Sequence, residues 1–210
     1  MQESLSLAAV IAALALGVAS PGPSFVMVAK EAVSRSWSHG LAAALGMGVG
    51  GVLFAGAALL GLQAVLLAVP ALYVLLKVLG GLYLCWLGFR IFKGASAPVA
   101  ALSSSATPGR SVRRSFWLGL STQVSNPKTA VVYASVFAAL LPSQVSAVLA
   151  CALLLAVFCV EAAWYALVAV MLSSDSPRRA YLGFKVTIDR LAGVAMIALG
   201  VRLITSAAKS

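Results

Sequence analysis

Leu118–Tyr133 reads LGLSTQVSNPKTAVVY, and it lies inside a hydrophobic span long enough for a membrane helix. At its centre stand Asn126, Pro127 and Lys128: a polar residue, a helix breaker and a cation. A proline removes one backbone hydrogen bond and disfavours helical geometry at the residue before it. In hydrocarbon the freed carbonyls and a buried ammonium need partners, so such a break persists only where it faces protein or a watery cavity. Ser20-Pro21-Gly22-Pro23 interrupts the first apolar stretch in the same way. Two broken hydrophobic segments in corresponding halves of a chain point to the substrate site of a transporter.

Composition fits that reading. Of 210 residues, 62% are hydrophobic and only 10% charged, with a mean hydropathy of +1.04. Such a chain is a membrane protein, and its length is used up by spans. The net charge of +10 would suggest nucleic acid in a soluble protein. Here the cations fall in short connections, where topology and anionic lipid head groups account for them, so no nucleic-acid partner is expected.

About 20 apolar residues cross the bilayer core, and on that ruler the chain is an all-α bundle of six transmembrane helices. They run over 4–33 (broken at Pro21–Pro23), 40–62, 70–92, 115–141 (broken at Asn126–Pro127), 143–172 and 186–205. A polar linker, 93–114, separates the two halves, 1–92 and 115–210, of a single membrane domain. The apolar run from Leu5 has no basic residues before it, and Pro21 directly follows the small pair Ala19-Ser20, so a retained first helix is expected rather than a cleaved leader. Eleven Lys and Arg lie in or beside the first, third and fifth connections, against Arg202 and Lys209 at the C-terminal end. That bias puts the odd connections in the cytoplasm and both termini outside.

The chain also repeats itself. Residues 76–92 align without gaps on 188–204, matching Gly81 to Gly193, Gly88 to Gly200 and Arg90 to Arg202. At a nearby offset, Pro21-Gly22-Pro23 falls on Asn126-Pro127-Lys128. Two halves of three helices have opposite orientation, which is the inverted-repeat plan of many secondary transporters.

The candidate site follows from these features. Half-helix N-termini favour a carboxylate and unwound carbonyls favour a cation, so Asn126, Pro127 and Lys128 are candidate ligand-binding residues. The plain alternative is a kink with Lys128 reaching to an interface. Pro21, Gly22 and Pro23 offer the same geometry without charge, Gly22 letting backbone approach a ligand. Glu161 lies deep in the fifth span, and an intramembrane carboxylate is a functional candidate by default; it could carry protons, bind a substrate ammonium or pair with Lys128. Gly46, Gly48, Gly50, Gly51 and Gly56 form a small-residue face suited to close packing, in the bundle or in a homodimer. Lys77 and Asp189 align in the repeat near span ends and read as interfacial or ion-paired.

Other chemistries find little support. The three cysteines lie in apolar stretches without metal spacing, and the one histidine, His39, is expected in a loop. There is no phosphate loop, HExxH or nucleophile–base set, so neither an ATP motor nor an enzyme is expected, and no cofactor. A metal-ion exporter would want more His, Cys or carboxylate in the spans, and a non-transporting scaffold would not need polar residues at its helix breaks.

Three motifs, SPGPSFVMV (20–28), LKVLGGLYLCWLGFRIFK (76–93) and SNPKTAVVYASVFAALLP (125–142), together with the ending DRLAGVAMIALGVRL (189–203), carry a family likeness. The chain resembles the LysE/RhtB family of bacterial amino-acid exporters over essentially its whole length. The resemblance implies a six-helix inner-membrane protein that exports amino acids on the proton gradient without a cofactor, with threonine-, homoserine- or leucine-like substrates. It carries over to Pro21, Gly22, Pro23, Asn126, Pro127 and Lys128, while Glu161 rests on the residue argument alone. Ser24 stands where many members carry Asp or Asn, and Tyr133 and Ala134 replace part of a Phe-rich run; both departures bear on the substrate.

Overall fold

The computed structural model describes residues 2–19, 22–68, 70–96, 111–142, 144–173 and 175–207, without the side chains of 2, 62–68, 70–73, 76 and 175–182. Eight helices are present among them: α1 (Gln2–Ala19), α2 (Pro23–Ser34), α3 (Trp37–Ala68), α4 (Pro70–Gly94), α5 (Val112–Val124), α6 (Pro127–Leu140), α7 (Ala147–Leu172) and α8 (Asp175–Ala207). Most of the expected linker, residues 97–110, lies outside the described residues.

The expected breaks fall where proline dictates. Gly22 is the extended N-cap of α2 and Pro23 its first residue; Asn126 caps α6 and Pro127 opens it. Proline suits that position because the first N–H of a helix has no partner in any case. Helices α1 and α2 meet at 60°. Among the described residues, the α1–α2 pair, Trp37–Gly61 of α3 and all of α7 are long and apolar enough to cross a membrane, while α6 is a shorter apolar helix. Large apolar side chains face outward, with Val148 79% and Leu155 65% exposed. That surface suits lipid as solvent and would aggregate in water.

Two boundaries differ from the sequence reading. Helix α8 begins at Asp175, eleven residues before Val186, because Pro177 lies in its first turn, where proline is tolerated. Helix α3 begins at Trp37 and so takes in His39, whose Nδ1 shares a 2.8 Å hydrogen bond with Ser36 Oγ.

Glycines set the closest packing. A Cβ on Gly46 would strike the Phe116 carbonyl oxygen, and one on Gly119 the Ala43 carbonyl oxygen, so α3 and α5 touch backbone to backbone. Helices α4 and α8 do the same twice. A Cβ on Gly81 would lie 2.7 Å from the Gly200 oxygen, and one on Gly193 would lie 2.7 Å from the Gly88 oxygen. Small residues let helices approach this way where no hydrophobic effect separates helix from lipid.

The interior has two apolar clusters. One gathers Val10, Leu14, Leu84, Tyr133, Phe137 and Leu153 among others; the other gathers Phe25, Val28, Met47, Tyr165 and Ala169. Helix α7 belongs to both, its buried face running Leu149, Leu153, Val157, Glu161, Tyr165 and Ala169. That face keeps helical four-residue spacing, and Glu161 is its one charged member. It falls at the junction between the clusters.

Candidate functional site

The junction is a polar knot tied across the two helix breaks. Ser24, in the first turn of α2, donates from Oγ to Gln123 Oε1 at 2.8 Å. Asn126 Nδ2 donates to the same Ser24 Oγ at 3.0 Å. The other end of the Asn126 amide caps α6, its Oδ1 accepting from the Lys128 backbone N–H at 3.0 Å. One side chain thus satisfies an orphan helix donor and ties the second break to the first. All three side chains are buried.

Lys128 makes a second tie. Its Nζ donates to the Gly17 carbonyl at 3.2 Å, in the last turn of α1. Carbonyls there lack helical partners and form the negative end of the helix dipole, a favourable seat for a cation. Glu161 and Asp189 both lie within electrostatic reach of this ammonium.

Glu161 is 1% exposed. Its Oε1 accepts a 2.8 Å hydrogen bond from the Tyr133 hydroxyl on α6. Its Oε2 is buried with no hydrogen-bond partner among the described residues; the Gln123 side chain lies near the carboxyl without closing a bond to that oxygen. Gly51 of α3 clears the space, since a Cβ there would come within 3.0 Å of Glu161 Cγ and 3.1 Å of the Tyr133 hydroxyl. Buried carboxylate oxygens are nearly always paired, so an unpaired one calls for a reason.

A cavity of about 30 Å³ sits at this point, lined by Gly22, Ser24, Asn126, Lys128, Glu161 and Tyr165 among others. It has room for a water molecule and not for an amino acid. A carboxylate, an ammonium, a hydroxyl and two carboxamides converge on this water-sized space.

Five of the seven residues singled out in the sequence, Gly22, Pro23, Asn126, Lys128 and Glu161, are brought to or beside this cavity, with Pro127 opening α6 one residue away. Pro21 lies outside the described residues. The α6 N-terminus offers an anion less than its sequence suggested, because Pro127 has no N–H and Asn126 already occupies that of Lys128. Gly22, the N-cap residue of α2, has no side chain with which to cap it. Sequence reasoning undervalued Ser24 and missed Gln123, Tyr133 and Tyr165. The sequence marks Ser24 only as a departure bearing on the substrate, yet Ser24 is the joint through which the two breaks are bonded. Asp189 is ion-paired, as its position near a span end suggested, with Lys185 Nζ 2.8 Å from Oδ2.

The chain is similar to known proteins over most of its length. The chain is 36% identical to a threonine efflux protein of Salmonella typhi over 188 residues, covering 89% of this chain and 91% of that one. It is 34% identical to a threonine efflux protein of Escherichia coli K12 over 195 residues, with the same coverage. An uncharacterized membrane protein of Haemophilus influenzae is 27% identical over 193 residues, 90% of each chain. No solved structure matches. The profile of the LysE type translocators spans residues 15–207, nearly the whole chain, and the protein, a multi-pass membrane translocator rather than an enzyme, belongs to that family.

Proposed function

We propose that this protein exports a small neutral amino acid of the threonine or homoserine kind from the bacterial cytoplasm in exchange for protons. The observation that carries the proposal is the half-satisfied Glu161 carboxylate at a small cavity between two helix breaks. The threonine efflux relatives support the substrate class.

A zwitterion has three groups to recognise, and the cavity offers a partner for each. Glu161 Oε2 takes the substrate ammonium. The Lys128 ammonium, beside the start of α2, takes the carboxylate. Ser24 and Tyr165, whose phenol lies against Ser24, face a side-chain hydroxyl. Protonation of Glu161 removes the charge that holds the ammonium, so substrate and proton compete for one carboxylate, which is the simplest form of exchange.

The reading includes six spans in two inverted repeats. The α4–α8 crossing supports it: the register that aligns Gly81 with Gly193 and Gly88 with Gly200 converts the Gly81–Gly200 contact into the Gly193–Gly88 contact. A two-fold relation in the membrane plane would give such pairing. The loop charges support an inner-membrane orientation with both termini periplasmic. Opening the cavity to either side is then a rocking of one half against the other about the α4–α8 seam.

The test is efflux from cells preloaded with a panel of labelled amino acids. Loss of threonine or a close relative above control cells, abolished by a protonophore and reduced about tenfold in Lys128→Ala at equal membrane abundance, is the expected result. Uncoupler-insensitive loss, or none for any amino acid, would refute the reading.

A further inference from the structure

Asp189 is a second buried carboxylate with one oxygen unbonded, and the exchange described so far gives it no part. It is 4% exposed. Its Oδ2 accepts from Lys185 Nζ at 2.8 Å, while Oδ1 is buried with no hydrogen-bond partner among the described residues. Lys185 Nζ also donates to the Ala95 carbonyl at 2.8 Å, which anchors the pair just past the end of α4. Both charged residues lie on the buried face of α8, which continues through Ala192, Met196 and Leu203.

That face leads to Lys128. Met196 and Val132 of α6 both come up against Gly17, whose carbonyl holds the Lys128 ammonium. Farther along, Leu203 and Ser135 both come up against Gly80. Helices α6 and α8 therefore run the same way. Lys128 stands four residues before Val132, and Asp189 seven before Met196. Those steps are about 6 Å and about 10 Å back along the two axes. A helical side chain leans toward its N-terminus, and a lysine leaning so spans the difference. Charge agrees with placement. Asp189 acts on the Lys128 ammonium alongside Glu161, and among the described residues the charges acting on Asp189 are Lys185 and Lys128. Arg190, next in sequence, turns elsewhere and lies over the Phe92 ring. Among the described residues that line the polar cavity, Asp189 has no place, so it does not meet the cargo.

Under the exchange proposed above, on which this inference rests, the cargo leaves and Glu161 takes a proton. Both negative charges that the exchange sets beside the Lys128 ammonium are then gone. A buried cation deprived of its anions is costly, so the return step needs another carboxylate. We propose that Asp189 is the counter-ion of Lys128 in the proton-loaded return step, its Oδ1 receiving the ammonium that the substrate carboxylate holds in the cargo-loaded step. Asp189 is thus a positioning residue for the exchange, acting through Lys128.

Two assays on purified protein in vesicles separate the steps. Exchange of labelled for unlabelled threonine, at equal pH on both sides, uses only the cargo-loaded step. Net loss of threonine driven by a proton gradient needs the return as well. Asp189→Asn should keep exchange near the parent's, while net loss falls about tenfold to a hundredfold, as for a lost hydrogen bond between charged groups. Asp189→Glu should recover much of the net loss. Lys185→Gln, which removes only the pair within α8, should leave net loss per inserted molecule near the parent's. Parental net loss in Asp189→Asn would overturn the inference. So would exchange and net loss falling together, or Lys185→Gln reproducing the Asp189→Asn defect, since either would mark a purely structural pair. Parent vesicles showing neither activity would refute the exchange itself, and the return step with it.

Discussion

Two buried glutamates face opposite fates in this molecule. Glu31, at the end of α2, has both oxygens engaged: Oε1 lies 3.4 Å from Arg35 Nε, and Oε2 accepts a 2.5 Å hydrogen bond from Ser115 Oγ on α5. Glu161, at the junction of the two apolar clusters, has one oxygen held by Tyr133 and the other bare. The first is a charge neutralised in place, and it fastens α2 to α5. The second is incomplete and costly to bury as a charge, and under the proposed function it serves a ligand or a proton. Burial alone does not separate the two; the partner list does.

The comparison breaks most sharply on Glu161→Gln and Glu31→Gln. Glu161→Gln should lower export by about 100-fold or more, as loss of a proton-transferring group commonly does, while membrane abundance and thermal stability stay near the parent's. Glu31→Gln should do the reverse. Removing one partner of a buried pair destabilises by about 3 kcal/mol, read as a lower melting temperature in detergent, with transport per folded molecule largely retained. If both variants lose transport at unchanged stability, the distinction between the two glutamates fails.

Tyr133→Phe sharpens it. The variant removes the Tyr133 hydrogen bond to Glu161 and leaves the ring packing against Phe54 and Phe137. A bond to a charged group is worth about 1.5–3 kcal/mol, so export should fall about tenfold or more, with the pH dependence of export displaced from the parent's. An unchanged pH profile would mean that Tyr133 only packs.

The smallest effect belongs to Ser24→Ala, which cuts the joint between the two breaks but leaves Asn126 capping α6. About threefold to tenfold is expected, from one neutral hydrogen bond, with Ser24→Asn restoring part of it. Discrimination between threonine and valine in a competition assay should narrow in the alanine variant, since the hydroxyl then has one partner fewer.

How far the sequence led is clear from particular residues. Proline and glycine act locally, so both breaks were legible at Pro23 and Pro127 without coordinates. Glu161 was legible as a candidate because a carboxylate among Val160, Ala162 and Ala163 stands out in an apolar run. Ser24, Gln123, Tyr133 and Tyr165 were not, because their roles depend on partners far along the chain. Ser24 and Asn126, for example, are bonded across about a hundred residues, and nothing in either local context names the other. The glycine alignment exposed a repeat, but the crossing of Gly81 with Gly200 rather than with its own counterpart required the packed helices. The α8 start precedes the expected span for a simpler reason: polar residues and a proline look like a connection, though proline is at home in a first helical turn.

The most direct measurement uses purified protein in vesicles loaded with labelled threonine, with an imposed proton gradient, comparing the parent with Glu161→Gln. Rapid gradient-driven loss of threonine from parent vesicles, stopped by a protonophore, and loss at the protein-free rate from Glu161→Gln vesicles are expected. Equal gradient-driven loss from both would contradict the proposal, since the bare oxygen of Glu161 would then have no part in the exchange.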